Sequence, residues 1–217
     1  MTITSLAGPR RWSLGLWGGG TDGNEQLTSI TGAILLVLLA VLGVTIVRIG
    51  QLLWLHLFLG LALIGPVTLK LASTGYRFVR YYAGNAAYRE KGPPPAALRG
   101  LAPFVVASTL VVFVTGVLLL IEGPAHRSTL ALVHKVSFFV WLAVTGLHVL
   151  GHLLDLPRSM RAVRRNRPRI AGLPEAGGAG RVIALAGALV GGLLLAAVLI
   201  PDFHAWTSAH LHHHHHR

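Results

Sequence analysis

Long apolar segments alternate with short polar segments along this chain. Five of the apolar segments reach the length of about 20 residues that a helix needs to cross a bilayer. They cover residues 27–47, 51–73, 101–121, 130–153 and 182–200. This pattern predicts an all-α integral membrane protein, in which residues 27–153 form a four-helix bundle and residues 182–200 add a fifth transmembrane helix.

The composition agrees with insertion into a membrane, since 53% of the 217 residues are hydrophobic and only 12% are charged. The formal net charge is +12, and the arginines cluster beside the apolar segments. Such clusters are typical of the cytoplasmic ends of membrane helices, so we expect contact with the lipid bilayer and no nucleic-acid partner. The sequence has no cysteine, which excludes disulfides, iron–sulfur clusters and thiolate metal ligands within it.

Two basic segments, residues 74–99 and 154–181, predict the orientation of the chain. Basic loops stay in the cytoplasm, which puts the N-terminal segment 1–26 inside and the tail 201–217 outside. The second basic segment is rich in proline and glycine and is expected to be a linker. We therefore predict a multi-pass protein of the plasma membrane with a cytoplasmic N-terminus and an extracytoplasmic C-terminus.

The fourth span carries three histidines, although ionisable residues are rare inside membranes and usually functional there. His134 and His148 are separated by 14 residues. Their side chains therefore differ by about 40° around the helix axis and lie about 21 Å apart along it. His152 follows one turn after His148 on the same face. One helix thus presents imidazoles at two depths, one near each membrane surface.

This spacing resembles that of the ligand helices in membrane b-type cytochromes with two haems, including the ferric-reductase-like and hydrogenase-cytochrome-like bundles. The resemblance covers residues 51–153 and rests on ligand spacing and helix count. It implies a four-helix haem-binding bundle with one or two haem b groups and a role in electron transfer. Histidine is a common axial ligand of haem iron.

The second span contains His56 and Lys70, which are also 14 residues apart. His56 and His134 are predicted to lie at equal depth on parallel spans, so we expect them to hold one haem in the outer leaflet. Pro66 predicts a bend in the second span, because proline removes a backbone hydrogen bond. The first span has no histidine and is expected to serve packing alone.

The inner depth offers no second histidine. His148 is the expected ligand of any second haem, and His152 is an alternative ligand or a neighbour of that site. Lys70, Arg77 and Arg80 are expected to pair with haem propionates, because cations bind carboxylates strongly where the dielectric is low. The alternative is an empty inner site in which His148 only forms a hydrogen bond with a neighbouring helix.

The tail is rich in histidine. His204, His210 and His212 are candidate ligands of a copper or iron site, because imidazole suits both metals. A purification tag is the alternative explanation. Against it, the run from 212 to 216 has five consecutive histidines and is followed by Arg217.

These features favour a haem-containing electron-transfer protein that exchanges electrons with quinone or a redox partner subunit, or that reduces metal ions as a membrane oxidoreductase. Nothing in the sequence indicates binding of flavin or nicotinamide. The alternatives are a metal-ion-binding transporter and a non-catalytic membrane anchor subunit. Gly187 and Gly191 form a small-xxx-small face on the fifth span, which allows packing against another helix and a homodimer.

Overall fold

The computed structural model describes residues 20–92, 96–165 and 178–212, and every regular element in these ranges is a helix. The prediction of an all-α protein is therefore confirmed. So is the number of spans, since five helices in the described ranges are long and apolar enough to cross a membrane. Most of the predicted N-terminal segment, the middle of the basic linker and the end of the tail lie outside the described residues.

The helices are numbered here in chain order. They are α1 (Gly20–Val47), α2 (Ile49–Ala62), α3 (Ile64–Tyr82), α4 (Ala86–Glu90), α5 (Ala96–Glu122), α6 (Arg127–Arg165), α7 (Gly178–Val198) and α8 (Ile200–His212). A short 3-10 turn, Pro124–His126, joins α5 to α6. The second span combines α2 and α3, and the fourth is the Ser128–Leu153 part of α6.

Several helices extend beyond their predicted ends. α3 continues to Tyr82 and α6 to Arg165, so part of each predicted basic loop is helical. α8 covers most of the predicted tail, up to His212. Backbone hydrogen bonds within a helix do not depend on lipid, and arginine is a good helix former, so hydropathy alone underestimates these lengths.

α1 runs antiparallel to α2 and α3 after a sharp reversal at Arg48. The backbone of Arg48 (φ −113°, ψ 35°) and that of Leu52 (φ −115°, ψ 22°) are both non-helical. The amide of Gln51 donates to the carbonyl of Arg48 at 2.9 Å and closes the reversal. We call this end of the molecule, which was predicted to face outside, the turn end.

The opposite end, called here the clamp end, is closed by an ion-pair cluster. Lys91 donates to Asp22 at 2.7 Å and also binds Glu25, both at the start of α1. Burial lowers the pKa of Lys91, but its hydrogen bonds to the two carboxylates outweigh this effect, so its pKa is raised. The side-chain amide of Asn24 donates to the carbonyl of Ser73 at 3.1 Å. These contacts tie the N-terminal end of α1 to the segment around α3 and α4.

The second span is divided into α2 and α3 at Leu63, one turn before Pro66, although Leu63 keeps helical backbone angles (φ −67°, ψ −21°). The bend predicted at Pro66 stays a prediction. Proline offers no N–H to the carbonyl of Ala62. That carbonyl lies directly against α7, because a Cβ atom built on Gly192 would be 2.1 Å from the Ala62 oxygen. In the same way, a Cβ on Gly65 would be 1.9 Å from the oxygen of Ala188. The two backbones therefore touch.

Among the described residues, the fifth span packs through a face other than the Gly187–Gly191 face. Within the described chain, no atom lies within 4 Å of a Cβ built on Gly187 or Gly191. The small residues of α7 that make the contact are Ala188 and Gly192, each of which directly follows one of the two predicted glycines. The sequence of α7 does not reveal which of its small residues meet the second span.

α8 folds back over the turn end. Its Phe203 is 1% exposed and joins Leu61, Leu120 and Ala196 in one apolar cluster. The ring of Trp54 stands edge-on to Phe203 at 5.9 Å between centroids. The start of the tail is therefore part of the hydrophobic core.

The spans fall into a close-packed group and a separate hairpin. α1, α2, α3 and α7 pack on one another, and α5 packs tightly against α6. Contacts between this hairpin and the group are sparse and involve mainly α2 and α8. The fifth span is thus an integral member of the packed group, whereas a bundle of the first four spans around haem stays a prediction.

Candidate functional site

The ionisable side chains predicted for the site lie in two groups at different depths. Nearer the turn end, His56 on α2 and His134 on α6 are close enough for their rings to interact electrostatically. Nearer the clamp end, Lys70 on α3 interacts in the same way with His148 on α6. The rings of His148 and His152 meet edge-on, with centroids 4.7 Å apart.

His56 is held by a threonine from the first span. Its Nδ1 lies 2.9 Å from Oγ1 of Thr45, and this hydroxyl lies 2.6 Å from the carbonyl oxygen of Leu42. The hydroxyl has a single proton, which it donates to the carbonyl, so its oxygen accepts from the ring. The hydrogen-bond network therefore assigns the proton of His56 to Nδ1 and leaves a lone pair on Nε2.

His134 is held in a parallel way by a threonine of α5. Its Nδ1 lies 3.0 Å from Oγ1 of Thr115. The Thr115 hydroxyl donates to backbone carbonyls one turn earlier on α5, the nearer at 2.7 Å. It therefore accepts from Nδ1–H of His134, and Nε2 again keeps its lone pair. Gly116 makes room for the ring, since a Cβ there would be 3.2 Å from Cε1.

The two rings form a matched pair of neutral imidazoles. Each is half-buried, each has its Nδ1 proton bound to a threonine, and each keeps a free nitrogen. Among the described residues no group of three or more His, Cys, Asp or Glu is placed to hold a metal ion. Structural zinc uses four protein ligands, whereas haem iron needs only one or two axial side chains. The donor set therefore fits haem better than a bare metal ion.

The α6 span, which carries His134 and His148, is the least covered of the five. In its most apolar stretch 6% of the residues are buried, against 11–17% in the other spans. α6 packs mainly on α5, and the group formed by α1, α2, α3 and α7 lies across a sparse contact region. The histidine pair spans this region, since His56 belongs to the group and His134 to the hairpin.

Lys70 is anchored to the first span. Its Nζ donates to the backbone carbonyl of Thr28 at 2.7 Å. Gly32 makes room for the ammonium group, because a Cβ there would lie 3.0 Å from Nζ. Backbone carbonyls are suitable partners for a cation within a membrane helix bundle.

The inner histidine differs from the outer pair. Nδ1 of His148 is buried and has no hydrogen-bond partner in the described chain, and the same holds for Oγ1 of Thr145. No other span brings a histidine to His148 within the described ranges. A hydrogen bond from His148 to a neighbouring helix therefore does not involve Nδ1 in the described chain, and the alternative of an empty inner site stays a prediction.

The two arginines predicted to bind propionates lie closer to the clamp end than Lys70. The guanidinium of Arg80 is 5.9 Å from the centre of the Tyr76 ring. Arg77 and Arg80 both interact electrostatically with Tyr88. Burial and the neighbouring Tyr76 raise the pKa of Tyr88, and the nearby cations oppose this increase.

The tail histidines are only partly described. His204 lies on the exposed face of α8. The side chains of His210 and His212, and residues 213–217 as a whole, lie outside the described part of the chain. The structure therefore leaves the predicted copper or iron site of the tail as a prediction.

Sequence reasoning missed the residues that hold the ligands. The first span was expected to serve packing alone, which is wrong, because it contributes Thr45 to His56 and the carbonyl of Thr28 to Lys70. Thr115 stood out only as a polar residue in an apolar span. A buried threonine at the depth of a membrane histidine is the signal that would have identified both partners.

No family model, curated protein or solved structure matches this chain.

Proposed function

We propose that the protein is a membrane electron-transfer protein that binds one haem b between His56 and His134. One observation carries the proposal, namely that both imidazoles are neighbours whose Nδ1 protons are held by threonine hydroxyls. Metal-ligating histidines nearly always donate their second nitrogen to such an acceptor, which fixes the ring and its tautomer. The pair is built from separate parts of the molecule, α2 and α6.

When bound, the haem supplies a one-electron carrier in an apolar environment. His56 and His134 would hold the iron together, and a haem held by two histidines would suit electron transfer better than substrate binding. The chain contributes the ligands, their orientation through Thr45 and Thr115, and the apolar surroundings. Near the clamp end, no second span brings a histidine to His148 within the described ranges, so we assign one haem rather than two.

The partners follow from the same chemistry. We propose quinone or a redox partner subunit as the source or acceptor of electrons. If the histidine-rich tail binds copper or iron, the electron acceptor would be this metal ion, and it would be reduced at the turn end. We also propose that the clamp end faces the cytoplasm and that the protein lies in the plasma membrane, which the basic residues around this end support. The open Gly187–Gly191 face of α7 suits a homodimer.

The direct test is the spectrum of the full chain purified from membranes in mild detergent. We expect a Soret band, sharp bands after dithionite reduction, and about one haem per chain by the pyridine haemochrome assay. A colourless protein expressed with ample haem, or one that retains zinc or copper instead, contradicts the proposal and favours a metal-ion-binding transporter.

A second test addresses the threonine that holds His56. Thr45→Val removes the acceptor of the Nδ1 proton at little change in volume. We expect haem retention to weaken about 10-fold. This is the lower end of the loss in metal affinity that follows when the hydrogen-bond partner of a metal ligand is removed. The midpoint potential should rise, because the ring donates less electron density to ferric iron. Haem titration and redox potentiometry measure both effects.

Thr31→Val is the matched control for this test. Thr31 is also buried on α1, but its hydroxyl is bonded to the carbonyl of Leu27 at 2.7 Å and contacts no histidine. The control should retain haem and its potential. Equal effects of the two substitutions would show that the bond from His56 to Thr45 has no part in haem binding.

A further inference from the structure

A basic group with unsatisfied donors lies between α3 and α6 on the clamp-end side of the histidine pair. The ammonium of Lys70 uses one of its three N–H donors on the carbonyl of Thr28. Beside it, His148 Nδ1 and Thr145 Oγ1 are buried without a hydrogen-bond partner in the described chain. Thr145 and His148 are three residues apart and therefore share one face of α6.

Buried polar atoms without a hydrogen-bond partner are rare in native proteins, so each one suggests a bound group that forms the missing hydrogen bond. Three such side-chain atoms occur in the described chain, and two of them belong to this group. All three members of the group can donate a hydrogen bond. What the group lacks is an acceptor with several oxygen atoms.

The described chain offers no carboxylate to this group. Asp22 and Glu25, the acidic residues of α1, both bind Lys91. α3 has no acidic residue, and neither does the Ser128–Leu153 span of α6. The described side chains therefore leave the group without an anion, and an anion from outside the chain would supply the missing acceptor.

The depth of the group identifies the source of that anion. Lys70 follows the start of α2 at Ile49 by about 31 Å of helix, and the hydrocarbon core of a bilayer is about 30 Å thick. Lys70 thus lies at the boundary where lipid phosphates begin. The His148 side chain as a whole is half-buried, so the group lies near the surface of α6. Arg77 and Arg80 lie two to three turns further along α3 and attract anionic headgroups to the same region.

We propose that Lys70, Thr145 and His148 form a binding site for the phosphate of an anionic phospholipid in the leaflet at the clamp end. The phosphate oxygens accept hydrogen bonds from the Lys70 ammonium, the Thr145 hydroxyl and Nδ1–H of His148. Bound lipid satisfies both unpartnered atoms of α6 and bridges the α5–α6 hairpin to α3. This site is separate from the proposed haem site and does not depend on it.

The test is native mass spectrometry of the detergent-purified full chain during titration with phosphatidylglycerol, with phosphatidylcholine as the neutral lipid. We expect one tightly bound phosphatidylglycerol per chain and weaker binding of phosphatidylcholine. Lys70→Met should weaken phosphatidylglycerol binding about 10-fold, the usual size for loss of one charge-assisted hydrogen bond. His148→Asn and Thr145→Val should each weaken it to a smaller extent, which keeps the test valid if Lys70→Met fails to fold.

Lys135→Met is the matched control, since Lys135 is an exposed cation on the same helix but near the turn end. It should bind phosphatidylglycerol like the unaltered chain. Equal binding of both lipids, or unchanged binding in Lys70→Met, overturns the proposal. So does full competition by inorganic phosphate, which would mean that the site takes the free ion. A second haem that is lost in His148→Asn would show that the group binds haem instead.

Discussion

Replacement of His134 by alanine is expected to abolish stable haem binding. The substitution removes one of two axial nitrogens, and loss of a mere outer partner already costs about 10–100-fold in metal affinity. We therefore expect retention to fall about 100-fold or more, with any remaining haem high-spin. His56→Ala should have the same effect, because both rings are assigned to one iron. Absorbance and electron paramagnetic resonance spectra of the purified variants measure these changes.

His152→Ala is the control for this prediction. It removes an imidazole from the same helix as His134, but one that lies near the clamp end. The low-spin spectrum and the haem content should stay unchanged. If instead His56→Ala and His134→Ala both keep a full low-spin spectrum, the pairing is wrong, and the proposed function with it.

The second large effect is expected at the contact between α7 and the interrupted second span. A methyl group on Gly192 would lie 2.1 Å from the carbonyl oxygen of Ala62. The oxygen belongs to backbone, so the helices must move apart. We expect Gly192→Ala to destabilise the protein by about 1–3 kcal/mol, as overpacking does in well-packed cores. Thermal or denaturant unfolding in detergent measures the change.

Gly191→Ala provides a neighbouring control on the same helix. A Cβ at Gly191 meets no atom within 4 Å in the described chain, and alanine favours the helix over glycine. Stability should stay the same or rise slightly. If the two variants are equally stable, the backbone contact between α7 and α2 is not tight, and the register of the fifth span is wrong.

These two predictions are linked through the second span. Ala62 lies six residues after His56 on α2, so a displaced α7 also disturbs the segment that carries the ligand. Gly192→Ala should therefore lower thermal stability first and haem retention only as the protein unfolds. Thr45→Val should lower haem retention at little cost in stability. The order of the two effects separates a packing defect from a ligand defect.

The features that depend on local periodicity were predictable from the amino-acid sequence alone. Apolar length gave five membrane helices, because a helix in lipid must satisfy its own backbone and needs a fixed number of residues to cross. The 14-residue spacings predicted side chains on one face of a helix at two depths, because 14 residues make nearly four turns and span about 21 Å. The proximity of His56 to His134, and of Lys70 to His148, agrees with this reasoning. The role of either histidine as a haem ligand stays a prediction.

The residues that form hydrogen bonds with His56, His134 and Lys70 became visible only in the tertiary structure. Thr45 reaches His56 because the reversal at Arg48 brings α1 back along α2, and no pattern within either helix specifies that rotation. The register of α7 and the burial of Phe203 depend in the same way on contacts between distant segments. Periodicity specifies which face of a helix is apolar. In a membrane nearly every face is apolar, so the choice among faces is left to backbone contact, hydrogen bonds and shape.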